Sequence, residues 1–182
     1  AGFIHHQKQK EKKKRYKLPF EAKTLPKKGK RTAYLGKVAE TNLEAYYDID
    51  NLTTHALIAG TTGGGKTVAA QVYVEEALKN NVAVVVFDPT AQWTGFLRKE
   101  DDKKMTSLYN KFGIKKREAQ AFKGNVRLIK NAREFIDIRN IAKEGEINVF
   151  VLSQMDLKDM DIFVSNTIRQ IFKDNYDESP DL

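Results

Sequence analysis

Gly60-Thr61-Thr62-Gly63-Gly64-Gly65-Lys66-Thr67 matches the pattern G-x-x-x-x-G-K-[ST] and stands between two segments of different periodicity. Before it, the apolar run Thr54 to Ala59 predicts a short strand; after it, apolar residues at helical spacing predict a helix over 68–80. The next apolar segment, Val82-Ala83-Val84-Val85-Val86-Phe87, reads as a strand covered on both faces of a parallel sheet. Strand, glycine-rich loop, helix and strand in that order form a βαβ unit. That order confines the chain to the α/β class, with a largely parallel sheet flanked by helices.

The residue types in the loop suit one kind of ligand. A loop that wraps a polyphosphate turns its own N–H groups inward and approaches the ligand closely, which glycines at positions 60, 63, 64 and 65 permit. Thr61, Thr62 and the glycines donate through backbone. Thr67 and Val68 open the helix, whose unpaired N–H groups and positive dipole end favour an anion. Lys66 supplies a compact charge that reaches the β- and γ-phosphates, and the Thr67 hydroxyl suits the Mg²⁺ that bridges them. The pattern therefore predicts a Mg-nucleotide site built from Gly60 to Val68, with Lys66 in the catalytic role.

The βα alternation continues along the chain. Tyr34 to Val38 reads as a short strand, with Asp48 to Asn51 a polar approach to the loop. The segment 95–125 is charged and weakly periodic, as short helices and loops are. Strands are predicted at 126–129 and 147–152, and a helix over 132–143. A last helix, capped by Asp156 or Asp159, turns Met160, Phe163, Val164, Ile168, Ile171 and Phe172 toward the core.

Asp88 ends the strand after the loop helix, at the sheet edge where open α/β folds place ligands. It reads either as a catalytic acid that holds Mg²⁺ or as a residue that shapes the following turn. Trp93 and Phe96 read as an adenine contact or as partial core, and His55 as a capping or packing residue. Arg127, Arg133, Arg139 and Arg169 are either arginine fingers reaching a neighbouring subunit's γ-phosphate or surface and packing residues.

The formal charge of +8 is unevenly spread. Residues 1–31 hold 12 Lys and Arg against 2 Asp and Glu, so the rest of the chain is slightly acidic. Pro19, Pro26 and Gly29 interrupt regular structure there, and the segment reads as a flexible basic arm. Three roles stay open for it: a solvated linker, a phosphate-backbone contact or a contact with an anionic membrane. The apolar stub Ala1-Gly2-Phe3-Ile4 before the charge run matches a juxtamembrane flank. No apolar run approaches the ~20 residues that span a bilayer, so the expected location is cytoplasmic, with the inner membrane face as the alternative. The absence of Cys excludes disulfides, a thiol nucleophile and Cys-based metal sites.

From Tyr34 to Phe96, and most closely over Thr54 to Thr67, the sequence resembles the HerA/FtsK superfamily of ATPases; the strand ending Phe87-Asp88-Pro89 resembles that family's next strand. The resemblance implies a RecA-like P-loop NTPase core over 32–182, working as a hexameric ring that binds ATP and Mg²⁺ and translocates DNA. Relatives that drive conjugation or secretion at a membrane supply a second reading, and a nucleotide-dependent binding protein without motor activity a third. Two features depart from the family pattern. Ala91 and Gln92 stand where many relatives have Gly-Glu after Asp-Pro, and no apolar strand here ends in Asp-Glu; Asp177-Glu178 follows Asp174-Asn175-Tyr176. The expectation is a core incomplete at its C-terminus, with the acidic pair beyond Leu182.

Overall fold

Short-range patterning places most of the elements. The computed structural model describes residues 21–38, 41–109 and 119–173. The expected basic run at 8–17, the apolar stub at 1–4 and the acidic pair at 177–178 lie outside them. The chain divides into two compact units between Lys66 and Thr67.

In the first unit, β1 (Thr32–Lys37) and β2 (Glu44–Asp48) form an antiparallel hairpin that pairs Thr32 with Asp48 and Tyr34 with Tyr46, with a bulge between Tyr34 and Gly36. The Tyr34 and Tyr46 rings lie 5.7 Å apart. Tyr46 donates its hydroxyl to Glu44, and that bond, with some desolvation and the Glu44 charge, pushes the phenol up to about 12. Asp48 then caps a 3-10 turn at Ile49–Thr53 by accepting from the Asp50 N–H. Ala33 and Ile49 are the buried apolar residues here.

Thr54 to Ala59 does not form the predicted strand: the backbone is irregular and Leu57 is 92% exposed. An apolar run makes a strand only where a neighbouring strand takes up its N–H and C=O groups, and no described segment pairs with this one.

The second unit holds a three-stranded parallel sheet in the order β3 (Val84–Asp88), β5 (Glu146–Val151), β4 (Lys123–Leu128). Central β5 is buried from Ile147 to Val151. On one face, Ile147, Val149 and Val151 pack with Leu78 of α1 (Lys66–Lys79); on the other, Phe150 and Leu152 pack with Phe163 of the last helix. Each such side chain contributes about 1.5–3 kcal/mol on burial, so the two helices hold the sheet from both sides.

Two features, one polar and one steric, mark the β4–β5 register. Buried Asn148 accepts from Asn125 Nδ2 at 3.1 Å and donates to the Ile141 carbonyl at 2.9 Å. Gly124 lies so close to β5 that a Cβ built there would sit 1.8 Å from the Ile147 oxygen.

Between β3 and β4 lie a 3-10 turn at Thr94–Leu97 and the short α2 (Lys103–Leu108). The helix predicted over 132–143 shrinks to one turn, α3 (Ile138–Ile141). Asn131 and Asp137 accept from the backbone N–H groups two residues on, at Arg133 and Arg139, which diverts the chain from a helical ladder. The last helix, α4 (Leu157–Lys173), is capped by Asp156, whose Oδ1 accepts from the Asp159 N–H. Phe163 is fully buried, with Met160, Val164 and Ile171 packed at the core margin. Ile168 and Phe172 instead face solvent, at 40% and 77% exposure. They lie on the flank of α4 away from Phe163 and Thr167, so the core stripe is narrower than the apolar pattern implies. No helix among the described residues is long and apolar enough to cross a membrane.

Candidate functional site

Residues 61–65 are all exposed, and two of them hold backbone conformations that need glycine: Gly63 at φ +75° and Gly65 at φ +82°. An L side chain in this region costs roughly 1–2 kcal/mol. The loop closes on itself through one acceptor. The Thr61 carbonyl takes the Gly64 N–H at 3.0 Å and the Lys66 ammonium at 2.9 Å. Lys66 therefore folds back over its own loop, and its charge is held beside open backbone rather than paired with an acid. Gly64 has little room for a side chain, since a Cβ would lie 3.0 Å from the Thr61 oxygen.

The loop leads directly into α1, a 14-residue helix beginning at Lys66, whose first N–H groups lack intrahelical partners. Thr67 is half-buried in its first turn and Val68 is 64% exposed. Exposed backbone donors, a folded ammonium and a helix N-terminus within eight consecutive residues are the donor set a polyphosphate needs. The residues present thus fit a Mg-nucleotide: the loop and Lys66 for the phosphates, the Thr67 hydroxyl for the cation.

Asp88 is the buried counterpart, with no exposed surface. Its Oδ1 accepts from the Thr90 N–H at 3.1 Å and the Thr90 hydroxyl at 3.3 Å, and its Oδ2 accepts from the Trp93 N–H at 2.9 Å. Both oxygens are engaged in holding the turn 88–93, in which Ala91 adopts φ +57°. Gln71 adds a link that motif reading missed: its Nε2 donates to the Gln92 carbonyl at 3.3 Å. Gln71 lies four residues after Thr67, so the two share one face of α1, and that face touches the turn. The spacing Asp-x-Thr, common where a side-chain carboxylate caps a turn, was the available signal.

The remaining candidates sort by their surroundings. Trp93 stacks on Phe96 at 5.7 Å and 16°, and both pack against the cluster of Leu78, Ile147 and Val149. His55 is exposed. Arg127 pairs with Glu134, and Arg139 lies in the first turn of α3 with its N–H bonded to the capping Asp137. Arg133 and Arg169 border one groove.

Residues 33–139, more than half of the chain, match the family described as Helicase HerA, central domain. No curated protein and no solved structure matches the chain. With a glycine-rich loop entering a helix, a parallel sheet flanked by helices and a match that takes in the loop, α1, β3 and β4, the chain belongs to the helicase HerA central-domain family, a P-loop ATPase family of the HerA/FtsK type.

Proposed function

We propose that this chain is the ATP-binding core of a motor that couples ATP hydrolysis to movement of DNA. The observation that carries the reading is the exposed loop with Lys66 folded onto the Thr61 carbonyl, and the family match supports it. On nucleotide binding, Lys66 exchanges that carbonyl for β- and γ-phosphate oxygens, and the N–H groups from Thr61 to Val68 take up the remaining phosphate charge. The Thr67 hydroxyl would hold Mg²⁺, which would neutralise charge on the phosphates. Asp88 keeps the 88–93 turn in place through its three bonds, and Gln71 ties that turn to α1. By family resemblance the domain is residues 32–182 and the working assembly a hexameric ring, with residues 1–31 a basic arm against DNA or anionic lipid.

Measuring Mg·ATP affinity and ATP turnover, with and without DNA, tests the reading. Unchanged Mg·ATP affinity in Lys66→Ala would overturn the nucleotide site, and turnover indifferent to DNA would overturn the motor. One observation favours a second reading, a nucleotide-dependent binding protein. Among the three described strands of the parallel sheet Asp88 is the only acid at a carboxyl end, and its oxygens accept from the turn. Tight Mg·ATP binding without turnover is the result expected there.

A further inference from the structure

The carboxyl edge of the sheet carries a second feature, independent of the nucleotide loop. After β4, Ile129 and Ala132 are buried while Lys130, Asn131 and Arg133 point outward. The Asn131 side chain fixes this loop by accepting from the Arg133 N–H at 2.9 Å. Opposite lies the flank of α4 that carries Lys158, Asn166 and Arg169, with buried Thr167 at its inner margin. Two adjoining cavities of ≈ 460 and ≈ 570 Å³ lie between loop and helix, with Arg133 lining both.

Lys130, Arg133, Lys158 and Arg169 are all exposed, and none forms an ion pair with a described residue. The bordering acids offset them only in part. Glu134 is taken by Arg127, and Asp156 caps α4, which leaves Asp159. Four like charges along one groove repel each other, and a polyanion relieves that repulsion. From Lys158 to Arg169 the helix rises roughly 16 Å, room for several phosphates of a stacked strand at about 3.4 Å each. Phe135, 73% exposed, lines the same groove and offers an aromatic face.

The geometry points to this groove, between the 130–135 loop and α4, as a binding site for a single nucleic-acid strand, with Arg133 and Arg169 on the phosphates and Phe135 against a base. The site locates a contact for the DNA partner proposed above, yet it does not depend on the nucleotide loop.

The test uses the full chain and a fluorescent oligothymidine of roughly 12 nucleotides, titrated across salt concentrations. Arg133→Glu with Arg169→Glu is compared with Lys123→Glu with Lys143→Glu, which makes the same charge change at the amino edge of the sheet. Thermal denaturation and Mg·ATP binding confirm that each variant folds, so failure here stays distinct from failure of the nucleotide reading. Neutral Arg133→Gln with Arg169→Gln serves if the reversal fails to fold. The groove pair is expected to weaken binding roughly tenfold or more near 0.1 M salt and to flatten the log–log salt slope by about 1.4, from about 0.7 per lost phosphate contact on a single strand. Phe135→Ala is expected to weaken the strand several-fold and to leave a duplex hairpin unaffected. An unchanged slope in the groove pair, an equal loss in the amino-edge pair, or a loss confined to a polyglutamate probe overturns the assignment.

Discussion

The loop at 60–67 and the turn at 88–93 both reverse the chain within a few residues, by opposite means. The first uses glycines with positive φ, leaves its backbone exposed and spends one carbonyl on holding Lys66. The second uses a fully buried carboxylate whose two oxygens take three donors. The polar groups of the first are open to a ligand, whereas the carboxylate of the second already takes three donors from its own turn. Charge and position along a strand therefore do not make a residue available for chemistry. Availability follows from whether its bonds are already made.

The sharpest way to break this contrast is Asp88→Ala. Removing a buried acceptor of three bonds leaves the Thr90 and Trp93 N–H groups unpaired, and about 3 kcal/mol of stability should go with it. Thermal denaturation should record a fall of about 6–12 °C in Tm, while the folded protein keeps Mg·ATP affinity within about threefold. An intact Tm with abolished Mg·ATP binding would move Asp88 from the turn to the metal. Lys66→Ala should show the reverse profile: roughly 100-fold weaker Mg·ATP binding by calorimetry, near 2.7 kcal/mol, with Tm changed by about 1 °C or less because the lost bond is exposed.

Gly65→Ala comes next in size. The added Cβ meets no atom within 4 Å, so any loss reports backbone conformation alone, about 1–2 kcal/mol and roughly tenfold in nucleotide affinity. Insensitivity to this change would show that the loop does not need the left-handed backbone to bind. Smallest is Gln71→Ala, about 0.5 kcal/mol for one exposed bond. Its value lies in a double-mutant cycle with Asp88→Ala, where a coupling above about 0.5 kcal/mol shows that turn and helix act together and additivity shows that they do not.

Several features were legible in the sequence because they repeat a local rule. The glycine spacing, the period of α1, the runs of β3 and β5 and the Asp156 cap each follow from neighbours a few residues apart. Features that depend on strand pairing, or on which backbone N–H a side chain captures, were not legible. Thr54 to Ala59 has a strand's composition, but pairing makes a strand and no described segment pairs with it. Ala132, Phe135 and Ile136 mimic a helical stripe, yet Asn131 and Asp137 claim N–H groups that a longer helix would use. For Asp88, the residue was evident and its two readings were open; the structure adds that Thr90 and Trp93 donate to it, a geometry that composition alone does not reveal.

Gly124 has a consequence for how the sheet reaches its alignment. Its missing side chain leaves the space that the Ile147 oxygen occupies, while Lys123 and Asn125 on either side both carry a Cβ. A slip of β4 by one position would put Lys123 or Asn125 where the chain takes φ +156°, a conformation that an L side chain rarely adopts, and would turn every β4 side chain to the opposite face. The glycine thereby ties the β4–β5 alignment to one position, because only there does the backbone pass this close to β5 with no side chain in the way.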